Sequence, residues 1–154
     1  MDNIEHLLQT QQGLSISKKT IVSLLYTFDF VNNKLNEALK PYDVSLQQFN
    51  VLRILRGQKG NPASLEMVQE RMISKMSNTT RLIDKLIKKN YVSKSINKDN
   101  RRKIDIVITP DGIELLKKID YVIDETEKKI IQSLTKDETK ELIRLLGKIR
   151  LIAN

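Results

Sequence analysis

The chain contains no cysteine. That excludes a disulfide framework, a thiolate metal site and a thiol redox switch. It contains one histidine, His6, near the start of the sequence. A lone terminal histidine reads as a solvated residue rather than a ligand. Without a Cys/His pair, any nucleophile would have to rest on lysine, serine or carboxylates. Tryptophan is absent and aromatics are 5% of the residues. No apolar run approaches the roughly 18 residues that a membrane span needs. The opening residues are polar, unlike a signal peptide. The signatures G-x-G-x-x-G, P-loop and H-E-x-x-H are all missing. These absences predict a soluble, cytoplasmic protein that is not an enzyme and takes no metal, cofactor or membrane partner.

What is present is concentrated in one place. Between Lys75 and Lys103 lie ten basic residues and two acids, Asp84 and Asp99, a net charge of +8. The whole chain of 154 residues carries 27 basic and 19 acidic residues, also +8. The other 125 residues therefore balance at 17 against 17. Charge scattered for solubility would not gather like this, whereas charge that neutralises phosphates does.

The local pattern gives that charge a shape. From Met76 to Ile87 the apolar residues Met76, Leu82, Ile83, Leu86 and Ile87 share one face at 100° per residue. Ser77, Asn78, Arg81, Asp84, Lys85 and Lys88 fall on the other. Ser74 is the expected N-cap, and Asn90 suits a left-handed position after the helix. Tyr91 to Ile96 and Lys103 to Thr109 then read as two strands joined by a polar turn over 97–102. The product is an amphipathic helix followed by a β-hairpin with a basic tip.

The remaining elements are helical. Lys18 to Leu39 carries Ile21, Leu24, Leu25, Phe28, Val31, Leu35 and Leu39 at helical spacing, with Ser17 as its cap, and Pro41 stops it. Ser45 to Gln48 forms an S-x-x-Q capping box that opens a helix with Leu46, Phe49, Val51, Leu52, Ile54 and Leu55 inward. Gly57, Gly60 and Pro62 make a loop. Ser64 caps a short helix from Leu65 to about Met72. Thr109 and Pro110 start a helix that reaches about Leu134, with Ile113, Leu116, Ile119, Val122, Ile123 and Ile130 on a seam. Thr135 to Glu138 is a second capping box. It opens a last helix carrying Leu142, Leu145, Leu146, Ile149 and Ile152.

This order predicts a mainly α fold with a small β-hairpin wing. It is a winged helix-turn-helix over 45–109, flanked by helical dimerisation regions over 1–40 and 110–154 of a single 154-residue chain. The apolar seams of the flanking helices exceed what the small module can cover, which calls for a partner chain. A two-fold homodimer would present two basic helices to a palindromic operator in double-stranded DNA. Arg81 to guanine and Asn78 to adenine are the natural bidentate pairings, with Ser77 beside them. Thr80 would meet a phosphate or a thymine methyl. Lys75, Lys85 and Lys88 would meet phosphates, which position without specifying. Arg101 and Arg102 at the hairpin tip fit the negative potential of a narrow minor groove.

Four stretches resemble the MarR family of bacterial transcription regulators. Ser77 to Leu86 is similar to its recognition-helix stretch. Lys88 to Val92 is similar to the helix exit, with Asn90 where glycine is usual. Asp99-Asn100-Arg101-Arg102 resembles the D-x-R wing signature, and Ile108 to Gly112 the L-T-x-x-G start of the fifth helix. The resemblance implies a dimer built by the N- and C-terminal helices. It implies an operator-binding regulator, usually a repressor, released by a small anionic or phenolic effector held between the two regions. It also implies that Asp99 braces a neighbouring arginine of the wing, although the residues alone would equally suit a turn former. The missing cysteines exclude the peroxide-sensing branch, and a single histidine speaks against zinc sensing.

Blander readings stand beside these. Lys85 and Lys88 would also suit a merely solvated helix face. Asp84 reads as a helix partner of Lys88 or Arg81. Met67, Met72 and Met76 read as core filler. An effector pocket between the first, second and fifth helices would draw on Tyr26, Phe28, Phe30, Tyr42 and Phe49, although aromatics at such spacings usually belong to a core. The alternative function is a winged-helix interaction module that docks an acidic protein partner.

Overall fold

A computed structural model of the chain describes residues 13–97, 100–101 and 103–151. Six helices and one hairpin follow in order: α1 (Ile16–Leu39), a 3-10 turn (Lys40–Tyr42), α2 (Leu46–Arg56), α3 (Leu65–Arg71), α4 (Thr79–Lys88), β1 (Val92–Ile96), β2 (Ile104–Ile108), α5 (Pro110–Ile131) and α6 (Lys136–Arg150). This is the predicted mainly helical fold with a winged helix-turn-helix at its centre. His6 and Ile152, singled out above, lie outside the described residues.

Most boundaries follow from caps. The Ser45 hydroxyl accepts from Gln48 N while the Gln48 side chain accepts from Ser45 N, so the predicted capping box closes. Ser64 accepts from Met67 N. Thr109 accepts from Gly112 N, with Pro110 in the first turn. The second capping box, Thr135 with Glu138, opens α6. Two starts differ from expectation. Helix α1 is capped by Ser15, two residues before Ser17. Helix α4 begins at Thr79 and is capped by Asn78, four residues after Ser74. The backbone over 73–78 is held as a turn, so helical periodicity does not apply to Met76, which is 96% exposed. Of the three methionines read as core filler, Met72 is buried, Met67 packs partly against the core and Met76 projects into solvent.

Helix α2 is the centre of the core. Its Val51, Leu52 and Leu55 meet Val68 of α3, Leu86 of α4, and Leu116 and Ile119 of α5. The wing hairpin pairs Val92 with Ile108 and Ile96 with Ile104 in antiparallel register. One further bridge, Ala63 with Ile106, hooks the loop before α3 onto β2. Helix α5 packs on α1. Where α5 begins, Gly112 is buried against Tyr91 and Ile108, and Thr109 N donates to Tyr91 O at 3.1 Å.

The predicted seams of the flanking helices stand largely open. On α1, Leu35 and Leu39 are buried, while Ile21, Leu25 and Phe28 are exposed. No residue of α6 is buried, and Leu142, Leu145 and Ile149 are all exposed. Between Leu24 of α1 and Leu142, Leu145, Leu146 and Ile149 of α6 runs an almost wholly apolar groove of about 410 Å³.

Candidate nucleic-acid interface

Helix α4 and the hairpin carry the basic segment. The two are tied by Lys94 of β1, whose Nζ lies 3.3 Å from Asp84 Oδ1 on α4. Asp84 is thus structural as expected, but its partner comes from the wing rather than from the helix itself. Thr80, Arg81, Lys85 and Lys88 are all exposed on α4. None of the four side chains has an acidic partner among the described residues, so their donors face solvent. Arg101 is exposed in the hairpin turn, also without an acidic partner among the described residues. The turn is closed by Asn97 N donating to Lys103 O at 3.0 Å and Asn100 N donating to Asn97 Oδ1 at 2.8 Å. Asn97 Nδ2 in turn bonds the Asp105 carboxylate at 3.0 Å. Asp99 and Arg102 lie outside the described residues.

Two expected base readers sit differently. Asn78 is exposed, but its carboxamide oxygen accepts from Arg81 N at 3.0 Å as the helix cap. One lone pair of the atom that adenine N6 would address is therefore engaged, while the amide NH₂ stays free to donate. Ser77 precedes the helix and is half-buried; its hydroxyl is shielded from solvent and has no partner among the described residues. The outer-face position expected for Ser77 is not the one observed, because the turn before α4 rotates it inward.

That turn has a brace that no local sequence pattern signals. Gln69 of α3 donates through Nε2 to Lys75 O at 2.9 Å and accepts at Oε1 from the Thr79 hydroxyl. Ser77 N donates to Ser74 O at 3.2 Å. Lys75 folds its ammonium back onto the Glu70 carbonyl rather than outward. At its other end, α4 stops at Asn90, which takes the left-handed conformation expected of it (φ 60°). Beside it Lys89 reaches across to the carbonyl and carboxylate of Asp43, with Nζ 2.6 Å from Oδ2. Asn90 Nδ2 also bonds Asp111 of α5 at 2.8 Å. The position of α4 is thus fixed at its start by α3 and at its end by Asp43, in the loop before α2, and by Asp111 of α5.

Two cavities bear on an effector site, the first of them beside this frame. An open one of about 800 Å³ lies between the end of α1, the start of α2 and the end of α4. Its walls include Asn36, Glu37, Lys40, Asp43, Gln48, Lys85, Lys88 and Lys89. A smaller one of about 340 Å³ lies between α2 and α5, walled by Phe49, Arg53, Arg56, Asp120, Asp124 and Glu127. Here Arg56 and Asp120 form a two-pronged ion pair, with Nη2 3.2 Å from Oδ1. The Arg53 guanidinium stands 5.6 Å over the Phe49 ring. Of the five aromatics proposed for a pocket, Phe49 lines this smaller cavity. Tyr26, Phe28 and Phe30 are exposed on α1 and Tyr42 packs against the core. The larger cavity is lysine-rich and uses none of the five. The expected location among the first, second and fifth helices fits the smaller cavity in part.

Comparisons with known proteins agree with this architecture. Residues 44–104, from the loop before α2 to the start of β2, match the model of the MarR family. The HTH-type transcriptional regulator PecS of Dickeya dadantii is 26% identical over 145 residues, covering 92% of this chain and 83% of PecS. The multiple antibiotic resistance protein MarR of Escherichia coli is 27% identical over 135 residues, covering 84% of this chain and 92% of MarR. Among solved structures, a MarR-like transcription regulator from Bacillus cereus superposes with a TM-score of 0.81 at 25% identity, over 90% of this chain and 98% of its own. A mutant E. coli MarR complexed with operator DNA shares the fold, with a TM-score of 0.78 at 22% identity over 90% and 99% of the two chains. So does BpsR of Bordetella bronchiseptica, whose DNA binding is regulated by 6-hydroxynicotinic acid, with a TM-score of 0.79 at 20% identity over 90% and 98%. With the same helix-turn-helix and wing, this protein carries a MarR-family match over residues 44–104 and is similar in sequence to transcription regulators of that kind over most of its length.

Proposed function

We propose that this protein is a homodimeric, cytoplasmic repressor that binds a palindromic operator and is released by a small anionic or phenolic effector. The observation that carries the reading is the row of exposed cations on α4 and the wing that have no acidic partner among the described residues: Arg81, Lys85, Lys88 and Arg101. In a chain otherwise neutral, these are the groups that would exchange counterions for phosphates. Residues 45–109 would form the DNA-binding region. Residues 1–40 and 110–154 would pair with a second copy, burying the open seams of α1 and α6. In this assignment Asn78 and Arg81 read base edges, Thr80 and the two lysines hold the backbone, and Arg101 with Arg102 enters the minor groove. Ser77 supports the turn from within, and Asp99 braces the tip.

For the effector, the larger cavity fits best. It places Lys40, Lys85, Lys88 and Lys89 around one space. A carboxylate held there would draw on the same lysines that phosphates need. The chemistry is that of 6-hydroxynicotinic acid, the regulator of BpsR binding. No observation favours the alternative of an acidic protein partner.

Fluorescence anisotropy tests the proposal. The full chain is titrated onto the promoter fragment upstream of its own gene and onto a scrambled fragment, at two salt concentrations. Tight binding to the first alone, lost in Arg101→Ala with the melting temperature unchanged, is the expected result. Equal affinity for both fragments, or an unaffected Arg101→Ala, would overturn the assignment.

A further inference from the structure

In the turn that leads into α4 stands a side chain that charge does not explain. Met76 is 96% exposed, the highest among the exposed large hydrophobics. It precedes the N-cap of α4 by two residues, and Ile73, three residues earlier, is 82% exposed on the same turn. The position is not a loose loop. Gln69 Nε2 holds Lys75 O at 2.9 Å on one side, and Ser77 N is bonded to Ser74 O on the other. The backbone therefore presents Met76 outward in a fixed place at the leading end of the recognition helix.

What would cover it must be apolar at one point and strongly anionic around it, because the helix it leads into carries Arg81 and Lys85, both exposed and without acidic partners among the described residues. A lipid tail or an apolar peptide meets the first requirement and not the second. A DNA major groove meets both. Its walls are phosphates, and the C5-methyl of thymine is the apolar group displayed on its base edges. Methionine suits such a contact, since its unbranched thioether adapts to an irregular surface.

We propose that Met76 is a specificity-determining residue that packs against a thymine C5-methyl in each operator half-site. The assignment rests on the DNA-binding function above and adds to the polar readers Asn78 and Arg81 an apolar one. It separates thymine from cytosine by shape rather than by hydrogen bonding.

The test removes the methyl and nothing else. The full chain selects its tightest duplex from a random-sequence library. That duplex is resynthesised with deoxyuridine in place of thymine at one position at a time. Wild type is expected to lose about fourfold to tenfold in affinity at one position per half-site, the value of a buried methyl. Met76→Ala should bind the unmodified duplex more weakly by a similar factor and be indifferent to the methyl at that position. It should respond like wild type everywhere else. Met76→Leu should restore the discrimination, and both variants should melt with wild type. A Met76→Ala protein that keeps the wild-type thymine-to-uracil ratio at every position would overturn the proposal, as would a wild type indifferent to every methyl. A library that yields no preferred sequence would instead overturn the DNA-binding assignment, and this inference with it.

Discussion

Replacing Gly112 by alanine sets two effects of opposite sign against each other. Gly112 occupies the first turn of α5, where alanine is worth about 0.5–1 kcal/mol more than glycine as a helix former. An ideal Cβ at this position would lie 2.3 Å from the Tyr91 carbonyl oxygen and 2.8 Å from Ile108 Cγ1. The first of these is backbone and cannot swing aside, so α5 and the start of β1 must part by roughly 1 Å to restore contact distance. Overpacking of this kind costs about 1–3 kcal/mol. The separation also strains the bonds from Thr109 N to Tyr91 O at 3.1 Å and from the Thr109 hydroxyl to Asn90 O at 2.6 Å. Each is worth about 1 kcal/mol net. The clash wins, and Gly112→Ala should be destabilised by about 2–4 kcal/mol. For a chain of this size the melting temperature then falls by about 4–16 °C. Scanning calorimetry at one matched protein concentration reads it, matched because a dimer melts in a concentration-dependent way. An unchanged or raised melting temperature would show that α5 does not start flush against the wing.

Other perturbations test separate parts of the structure. Leu145→Glu with Ile149→Glu puts two charges into the open apolar groove beside α1; sedimentation should show dimer association weakened by about 100-fold or more, with helicity retained. Lys85→Ala and Lys88→Ala should each lower the slope of log affinity against log salt by about 0.9, whereas Lys89→Ala, whose ammonium is engaged by Asp43, should change it less. A double-mutant cycle on Arg56 and Asp120, about a third exposed each, should return a coupling of no more than about 1 kcal/mol. Acid should weaken α6. The Thr135 backbone N–H and hydroxyl hold the Glu138 carboxyl below its usual 4.5, and Arg144 does the same for Glu141. A depressed carboxylate stabilises above its ordinary value and loses that contribution as pH falls through the folded one. Circular dichroism below about pH 4.5 should therefore show loss of helix that Glu138→Gln flattens.

What the sequence disclosed and what it concealed divide along range. The caps at Ser45, Ser64, Thr109 and Thr135, and the left-handed Asn90, each involve groups a few residues apart, and each was readable. The seams of α1 and α6 were readable too, because Leu142, Leu145 and Ile149 keep helical spacing whether or not anything covers them. The start of α4 was not. Ser74 and Asn78 are both good caps, and the choice between them is made by Gln69, which reaches from another helix. Helical periodicity puts Met76 on the inner face and Ser77 on the outer one, but the helix begins only at Thr79, so the periodicity applies to neither. The partner of Asp84 depended on the placing of β1 beside α4, which no local pattern encodes. The cavity residues Lys40 and Lys89 lie 49 positions apart in the chain and meet only through the fold.

The brace that Gln69 places across the turn before α4 has a kinetic consequence. Its hydrogen bonds fix Lys75 O and the Thr79 hydroxyl before any duplex arrives, so the entropy of ordering this turn is spent in folding and not in association. Arrival on DNA is governed by the localised positive charge, which acts alike on every sequence. A preformed outline then has little slack. On a poorly matched duplex it loses contacts instead of rearranging to recover them. Right and wrong sequences should accordingly be reached at similar rates and differ chiefly in how long the protein stays.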